Sequence, residues 1–233
     1  MSDKLMADKL ILPQNTRLMG VLLGFIGGSL DVFCHIQYHS LVATQTGNIL
    51  LLISDWHDSH VINTMLRFCS IIFFSLGFVF ALHMKEYRKT AYWRVKMLLP
   101  LFIGTLLLPF FSRFPLLEVP FIAFGTGIMM LTFTGSLIED HPYVIFMTSG
   151  NYRKMLTALY RIVRGEGDVQ EYRRQALNYG IVVGSFVVGA ISLAVSMHFL
   201  HEWSIWIVSF NLFLIMAYYI ARVKQLDLQD ENI

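Results

Sequence analysis

Residues 18–35 read LMGVLLGFIGGSLDVFCH. The run is apolar and rich in small residues from Leu18 to Leu30. It passes one carboxylate, Asp31, and stays apolar to about His35. About 17–25 such residues cross a bilayer's hydrocarbon core at 1.5 Å rise each. A carboxylate inside a crossing helix costs about 2.5–3.5 kcal/mol on insertion scales, so it is expected to face a cavity or a fixed partner. This one stretch therefore points both to a membrane fold and to a site within it.

The rest of the chain agrees. Phe68 to Met84, Met97 to Ser112, Val119 to Ile138, Gln175 to His201 and Trp203 to Ala221 also lack Asp, Glu, Lys and Arg, which makes six candidate spans. The 233 residues are 55% hydrophobic and 15% charged, with mean hydropathy +0.57. Soluble domains carry about 25% charged residues. The deficit excludes a disordered chain, a nucleic-acid binder and an ordinary cytosolic enzyme. A net charge of +2 leaves no strongly basic or acidic surface. Two cysteines make neither a disulfide framework nor a four-thiolate zinc site.

Charge placement sets the orientation. With six spans and both ends in the cytoplasm, the inner side holds sixteen Lys and Arg residues. The outer side holds only Arg67 and Arg113. That is the positive-inside pattern. Residues 1–16 read as a cytoplasmic arm rather than a cleaved signal, because Asp3 and Asp8 interrupt the basic region. Residues 223–233 read as a cytoplasmic tail, and the expected location is a bacterial inner membrane.

One segment resists this count. Val32 to Ser54 has no formal charge, yet it contains His35, Gln37, His39, Thr44, Gln45, Thr46 and Asn48. A seventh span there would move the Lys85–Lys96 cluster outside. Leu41 to Ile53 is therefore expected to be a broken or re-entrant element, which survives at membrane depth only under cover of protein or a wet cavity.

The same local pattern recurs 103 residues later. Residues 43–53 read ATQTGNILLLI and residues 146–156 read FMTSGNYRKML. At this offset Gly24 falls on Gly127 and Thr44 on Met147. Each copy follows a glycine-rich span and precedes two more spans. Three spans per half is an odd number, so the halves, 17–112 and 113–222, are expected to be inverted relative to each other, as in many transporters. The fold class expected is all-α: a single polytopic membrane domain of about six helices in two inverted three-helix repeats with broken elements.

GSLDV at 28–32, followed by Thr46-Gly47-Asn48 fifteen residues after its Asp, resembles the bacterial membrane-protein family typified by YoaK, a family of unknown function. The resemblance runs over nearly the whole chain and implies a multi-pass membrane fold, without implying an activity. The chain departs from the family pattern at Val32, His35, His39, Gln45 and Thr132-Phe133-Thr134.

The candidate solute- or ion-binding residues are Asp31, Thr46, Gly47, Asn48, Ser149, Gly150 and Asn151. Asp31 would bind a proton or cation, or else fix a helix break. A hydroxyl residue, a glycine and an amide open helices well, since the side chains cap and glycine relaxes the backbone. The free N–H groups of a half-helix also attract anions. Capping alone explains each tripeptide. The symmetric pair suggests a midplane site. His35/His39, His57/His60 and His198/His201 have spacings found in metal sites, but interfacial histidine is the preferred reading, so no metal is assigned. Cys34 and Cys69 are read as free thiols or a pair. Gly20-xxx-Gly24 and Gly180-xxx-Gly184 allow close helix approach, within the fold or in a homo-oligomer. Neither GxSxG nor HExxH occurs, so no catalytic residue, enzyme activity or cofactor is expected. The partners expected are the lipid bilayer and an unidentified small solute. The leading expectation is a small secondary permease for a polar or anionic solute, with a scaffold or passive channel as alternatives.

Overall fold

The computed structural model describes residues 11–55, 61–88, 90–111, 114–146 and 148–231. Residues 1–10 of the expected arm, the His57/His60 pair with Asp58, Lys89, Ser112, Arg113 and Met147 lie outside the described residues. The helices are α1 (Arg17–Tyr38), α2 (Gln45–Ser54), α3 (Val61–Glu86), α4 (Trp93–Leu107), α5 (Pro115–Thr132), α6 (Thr148–Arg164), α7 (Val169–Leu200) and α8 (Trp206–Gln225). A two-residue hairpin, β1 (Leu137–Ile138) with β2 (His141–Pro142), sits between α5 and α6.

Among the described residues, five helical runs are long and apolar enough to cross a membrane. The last, Val169–Gln225, takes in α7, a 3-10 turn at His201–Ile205 and α8. Much of their apolar surface faces outward. Phe68, Leu76 and Val79 on α3, Val188 and Ile191 on α7, and Phe210 and Phe213 on α8 are exposed. An exposed apolar surface of this extent suits lipid and would be an aggregation hazard in water.

Some expected boundaries shift. The span expected to run from Val119 to Ile138 ends at Thr132, where Phe133 closes the helix and Gly135 turns the chain at φ 85°. The hairpin that follows is too short and polar to leave a sequence signal. α7 begins at Val169, earlier than expected, because the Asp168 side chain caps it by accepting from the Gln170 and Glu171 N–H groups at 2.9 and 3.2 Å. Gly165 and Gly167 break the preceding loop at φ 65°.

Two crossings organise the bundle, α1 on α7 and α3 on α5. Each is built from a reciprocal pair of Phe-x-x-Gly steps. A Cβ on Gly28 would fall on the Phe186 carbonyl oxygen, and one on Gly189 would fall on that of Phe25. In the other crossing, Gly77 meets the Phe124 carbonyl and Gly127 that of Phe74. Backbone thus touches backbone at both crossings, which only glycine permits. These four steps were not singled out from sequence. The expected Gly20-xxx-Gly24 face is also used internally, against Ile138 and against Val182 with Ser185. A Cβ on Gly184 would meet nothing within 4 Å.

Gly28→Ala and Gly77→Ala should each destabilise the folded protein by about 1–3 kcal/mol, because the carbonyl in the way belongs to a helix backbone that must move as a body. Gly184→Ala should be neutral or slightly stabilising. Thermal unfolding of the three purified variants in one detergent checks the ordering.

Candidate functional site

The expected break after the first span is present, and Asp31 is its anchor. α1 ends at Tyr38, and His39 adopts a left-handed conformation at φ 51°. The chain turns back so that the N–H groups of Val42, Ala43 and Thr44 donate to one Asp31 oxygen at 2.9, 2.7 and 3.3 Å. The Thr44 hydroxyl donates to the other oxygen. Asp31 is buried. Its four donors all come from the segment that leads into α2, so the carboxylate also sits at the positive end of that helix.

Asn48 holds the same segment from the other side. Its Oδ1 accepts from the Leu41 N–H at 2.8 Å, and its Nδ2 donates to the Leu41 carbonyl at 2.6 Å and to Gln45 Oε1 at 2.9 Å. A side-chain amide here does the work of a missing strand partner. Arg67, read from sequence only as a rare outer-side charge, completes the brace from α3. It is buried, and it donates to the His39 carbonyl at 2.8 Å and the Leu51 carbonyl at 2.9 Å. It also pairs with Asp55 at 2.6 Å. Ser70 donates to the Leu41 carbonyl.

The second break repeats the amide clamp. Asn151 Oδ1 accepts from the Val144 N–H at 3.2 Å, and its Nδ2 donates to the Val144 carbonyl at 2.7 Å. Both clamps span seven residues and lie 103 residues apart, as do the first residues of α2 and α6. The carboxylate anchor is not repeated. Thr134 stands 103 residues after Asp31, and its hydroxyl bonds the Met130 carbonyl within its own helix end. The second break is tied down instead through the hairpin. Lys154 and Tyr179 donate to the Pro142 carbonyl at 2.7 and 3.2 Å. Asn178 accepts from Arg17 at 3.0 Å and meets His141 Nδ1 at 3.2 Å. Arg17 pairs with Glu139, and His141 with Glu171, each at 2.8 Å.

The breaks converge along α1. Ile138 packs on Gly20, the Phe146 ring on Gly27, and residues 42–44 on Asp31. Gly27 and Asp31 are about 6 Å apart along the helix axis. Of the sequence-selected residues, Asp31, Asn48 and Asn151 thus hold the two irregular segments. Thr46 and Ser149 instead point to the exterior, and Gly150 has open space around it. Gly47 lines a 410 Å³ cavity with Asp31, Val32, His35, Leu41, Leu50 and Leu51.

Among the described residues, no group of three or more His, Cys, Asp or Glu side chains could hold a metal. The His35 and His39 rings stand edge to face, 6.3 Å between centroids. His198 and His201 line a different cavity, of 480 Å³, with Gln37 and Glu202. Cys34 and Cys69 are both free.

A model of the family described as a protein of unknown function (DUF1275) matches residues 19–218. The chain belongs to that family. The DUF1275 match takes in Asp31, both amide clamps and all four Phe-x-x-Gly steps. Neither the curated proteins nor the solved structures include a match.

The Arg67 guanidinium, with help from Ser54, holds the Asp55 carboxyl below its usual range. A lowered value in the folded state stabilises the fold above the ordinary carboxylate range, and that contribution is lost as pH falls through the lowered value. Asp55→Asn should therefore melt slightly below wild type at neutral pH. The gap should close below about pH 4 and shrink with added salt, since Asp55 is solvent-accessible. Arg67→Leu should cost more at every pH, because the His39 and Leu51 carbonyls lose a buried donor. Detergent-phase melts across pH check both.

Proposed function

We propose that the chain is a small secondary permease that moves a small polar or anionic solute with a proton or cation, and that Asp31 couples the two. The observation that carries this reading is the placement of Asp31's donors. A buried carboxylate in mid-span is satisfied wholly by an irregular segment that could let go. The N–H groups of residues 42–44 form an anion cradle at the start of a helix. Asp31 fills that cradle as an internal anion. A proton or cation on Asp31 would weaken its hold, and a solute's own negative group could then take up the freed donors. Proton and solute would move in the same direction.

Several further observations support the architecture this requires. The two amide clamps share one spacing and one offset, and the α1–α7 and α3–α5 crossings use the same reciprocal step. Both fit two inverted halves. We read α7 and α8 as separate spans, because 57 residues in one line would reach about 86 Å against a hydrocarbon core of about 30 Å. Six spans then place both termini, and sixteen of the eighteen basic residues, on the cytoplasmic side of a bacterial inner membrane. The reading is non-enzymatic. The alternative, a scaffold that binds other helices through glycine faces, has less to stand on. Gly20 and Gly24 are packed within the fold, and of the expected glycine spacings only Gly184 is left open for a second copy.

The test is a thermal-shift screen of purified protein against metabolites and ions at acid and neutral pH, with Asp31→Asn alongside. Asparagine can still accept from the three N–H groups and donate to Thr44, so the variant should fold. A bound ligand raises the melting temperature by mass action. The expected result is an anionic or polar ligand whose effect in wild type depends on pH and in Asp31→Asn does not. A ligand that stabilises both proteins equally at both pH values would remove Asp31 from the mechanism. A blank screen with two equally stable proteins would favour the scaffold.

A further inference from the structure

Among the described helices, α6 is the longest that is not apolar enough to cross a membrane. Its seventeen residues carry four basic side chains, Arg153, Lys154, Arg161 and Arg164, and no acidic one. That charge bars it from hydrocarbon. At 3.6 residues per turn its side chains sort into three stripes. Asn151, Met155, Ala158 and Ile162 form the first, which is buried or half-buried, and α6 packs on α7. Tyr152, Leu156, Leu159, Tyr160 and Val163 form the second, and all five are exposed, Val163 to 86%. Arg153, Arg161 and Arg164 with Thr157 form the third, also exposed and adjoining the second.

The neighbours of α6 set its level. A Cβ on Gly180 would lie 3.5 Å from Met155 Sδ, and Lys154 Nζ stands 5.2 Å from the Tyr179 ring centre. Arg161 donates to the Tyr172 hydroxyl at 2.6 Å. As α6 advances α7 recedes, so α6 runs antiparallel along the first half of α7. The 32 residues of α7 reach about 48 Å, and a hydrocarbon core is about 30 Å thick. About twelve residues therefore stand outside the core. Glu171, Arg173 and Arg174 place that surplus at the start of α7, beside α6. The exposed apolar stripe thus lies at the level of the membrane surface, and its two tyrosines suit that layer.

We propose that the exposed side of α6 is a binding surface for anionic phospholipids, with its apolar stripe against the acyl boundary and Arg153, Arg161 and Arg164 on headgroup phosphates. Charge complementarity selects this occupant. A helix with one apolar side, one basic side and little net hydrophobicity binds anionic bilayer surfaces. A second copy seated two-fold on the same face would set basic residues against basic residues. The arginines have donors to give. Arg161 spends one of five N–H groups on Tyr172, and the Arg164 pair with Glu166 at 3.1 Å is exposed on both sides, which makes it weak. Lys154, held by the Pro142 carbonyl, belongs to the fold instead. The proposal goes beyond the permease reading and does not depend on Asp31.

The experiment titrates the melting temperature of purified full-length protein, in one neutral detergent at low salt, with dioctanoyl phosphatidylglycerol, dioctanoyl phosphatidylcholine and inorganic phosphate. Phosphatidylglycerol should act at concentrations about tenfold or more below phosphatidylcholine, as expected for two or three basic residues at an anionic surface. Inorganic phosphate should do nothing in the same range, and added salt should shrink the difference. Arg153→Gln combined with Arg164→Gln should remove most of the preference, and lysine at both positions should keep it. Val163→Asp places a negative charge within the exposed stripe and should weaken phosphatidylglycerol while leaving the lipid-free melting temperature unchanged. It decides the matter if the double glutamine variant does not fold. Equal action of the two lipids would leave only acyl contact and overturn the proposal. Phosphate reproducing the effect would make this a free-anion site and overturn it as well. So would a phosphatidylglycerol preference unchanged in both variants. A concentration-dependent dimer that Val163→Asp dissolves would assign the face to a second copy and overturn it too.

Discussion

A helix interrupted inside an apolar interior must find other partners for the backbone groups it frees, and this requirement shapes the molecule. Water is not available to bond them, and each buried group left unmet costs about 1–3 kcal/mol. In the first break five side chains share the requirement: Asp31, Asn48 and Arg67, with Ser70 on the Leu41 carbonyl and Gln45 on that of Val42. Asp31 takes the N–H groups of residues 42–44, Asn48 takes both polar groups of Leu41, and Arg67 takes the carbonyls of His39 and Leu51. The polar residues that first mark this segment as odd in an apolar chain are the ones that let it exist there. In the second break Asn151 serves Val144 in the same way, while a hairpin, Lys154, Tyr179 and Asn178 replace the carboxylate and the guanidinium. The second solution uses a side chain with a basic head, Lys154, and paired charges, which suits a position nearer water.

The same solvent explains the crossings. In lipid no hydrophobic force drives one helix onto another, so close van der Waals contact must do more of the work. The Phe-x-x-Gly steps provide it by bringing the Gly28, Gly77, Gly127 and Gly189 backbones against carbonyl groups of the facing helix. Because each crossing uses the step in both directions, neither helix can slide without opening two contacts. That rigidity gives the irregular segments a firm wall: α1 carries Gly27 beneath Phe146 and Asp31 beneath residues 42–44, and α7 fixes α1.

Much of this was legible in the sequence, and for identifiable reasons. Apolar runs reveal spans because the bilayer sets their length, and an amide-rich stretch reveals a break because hydrocarbon tolerates few such residues. Asp31 and Asn48 were therefore visible as residue types out of place, and Asn151 through the repeat of the tripeptide 103 residues later. What each one holds was not visible, since the carbonyl of His39 or the N–H of Val42 has no letter of its own. Arg67 read as an outer-side charge, because burial depends on how neighbouring helices pack over the helix ends. The Phe-x-x-Gly steps were hidden for another reason. Glycine next to phenylalanine is common in membrane helices, and only the facing helix shows which glycine touches a carbonyl. Thr46 and Ser149 were chosen for their place in a tripeptide, and in the structure it is the amide of each tripeptide that bonds the irregular segment.

On the permease reading, the completeness of Asp31's bonding becomes an argument about coupling. Bonds to a charged acceptor are worth about 1.5–3 kcal/mol each, and four of them hold the segment 42–44. Pulling the segment away with nothing in exchange would strand a bare carboxylate and three bare N–H groups in a dry interior. Protonating Asp31 alone settles the carboxylate but leaves the N–H groups. Supplying an anion alone settles the N–H groups but leaves the carboxylate, now with a like charge beside it. Only both together leave every group satisfied, so the released state is favoured when proton and solute arrive as a pair. A ligand shifts an equilibrium by no more than its differential affinity for the two states. Here that difference is largest for the pair, which is the thermodynamic condition for coupled rather than leaky movement.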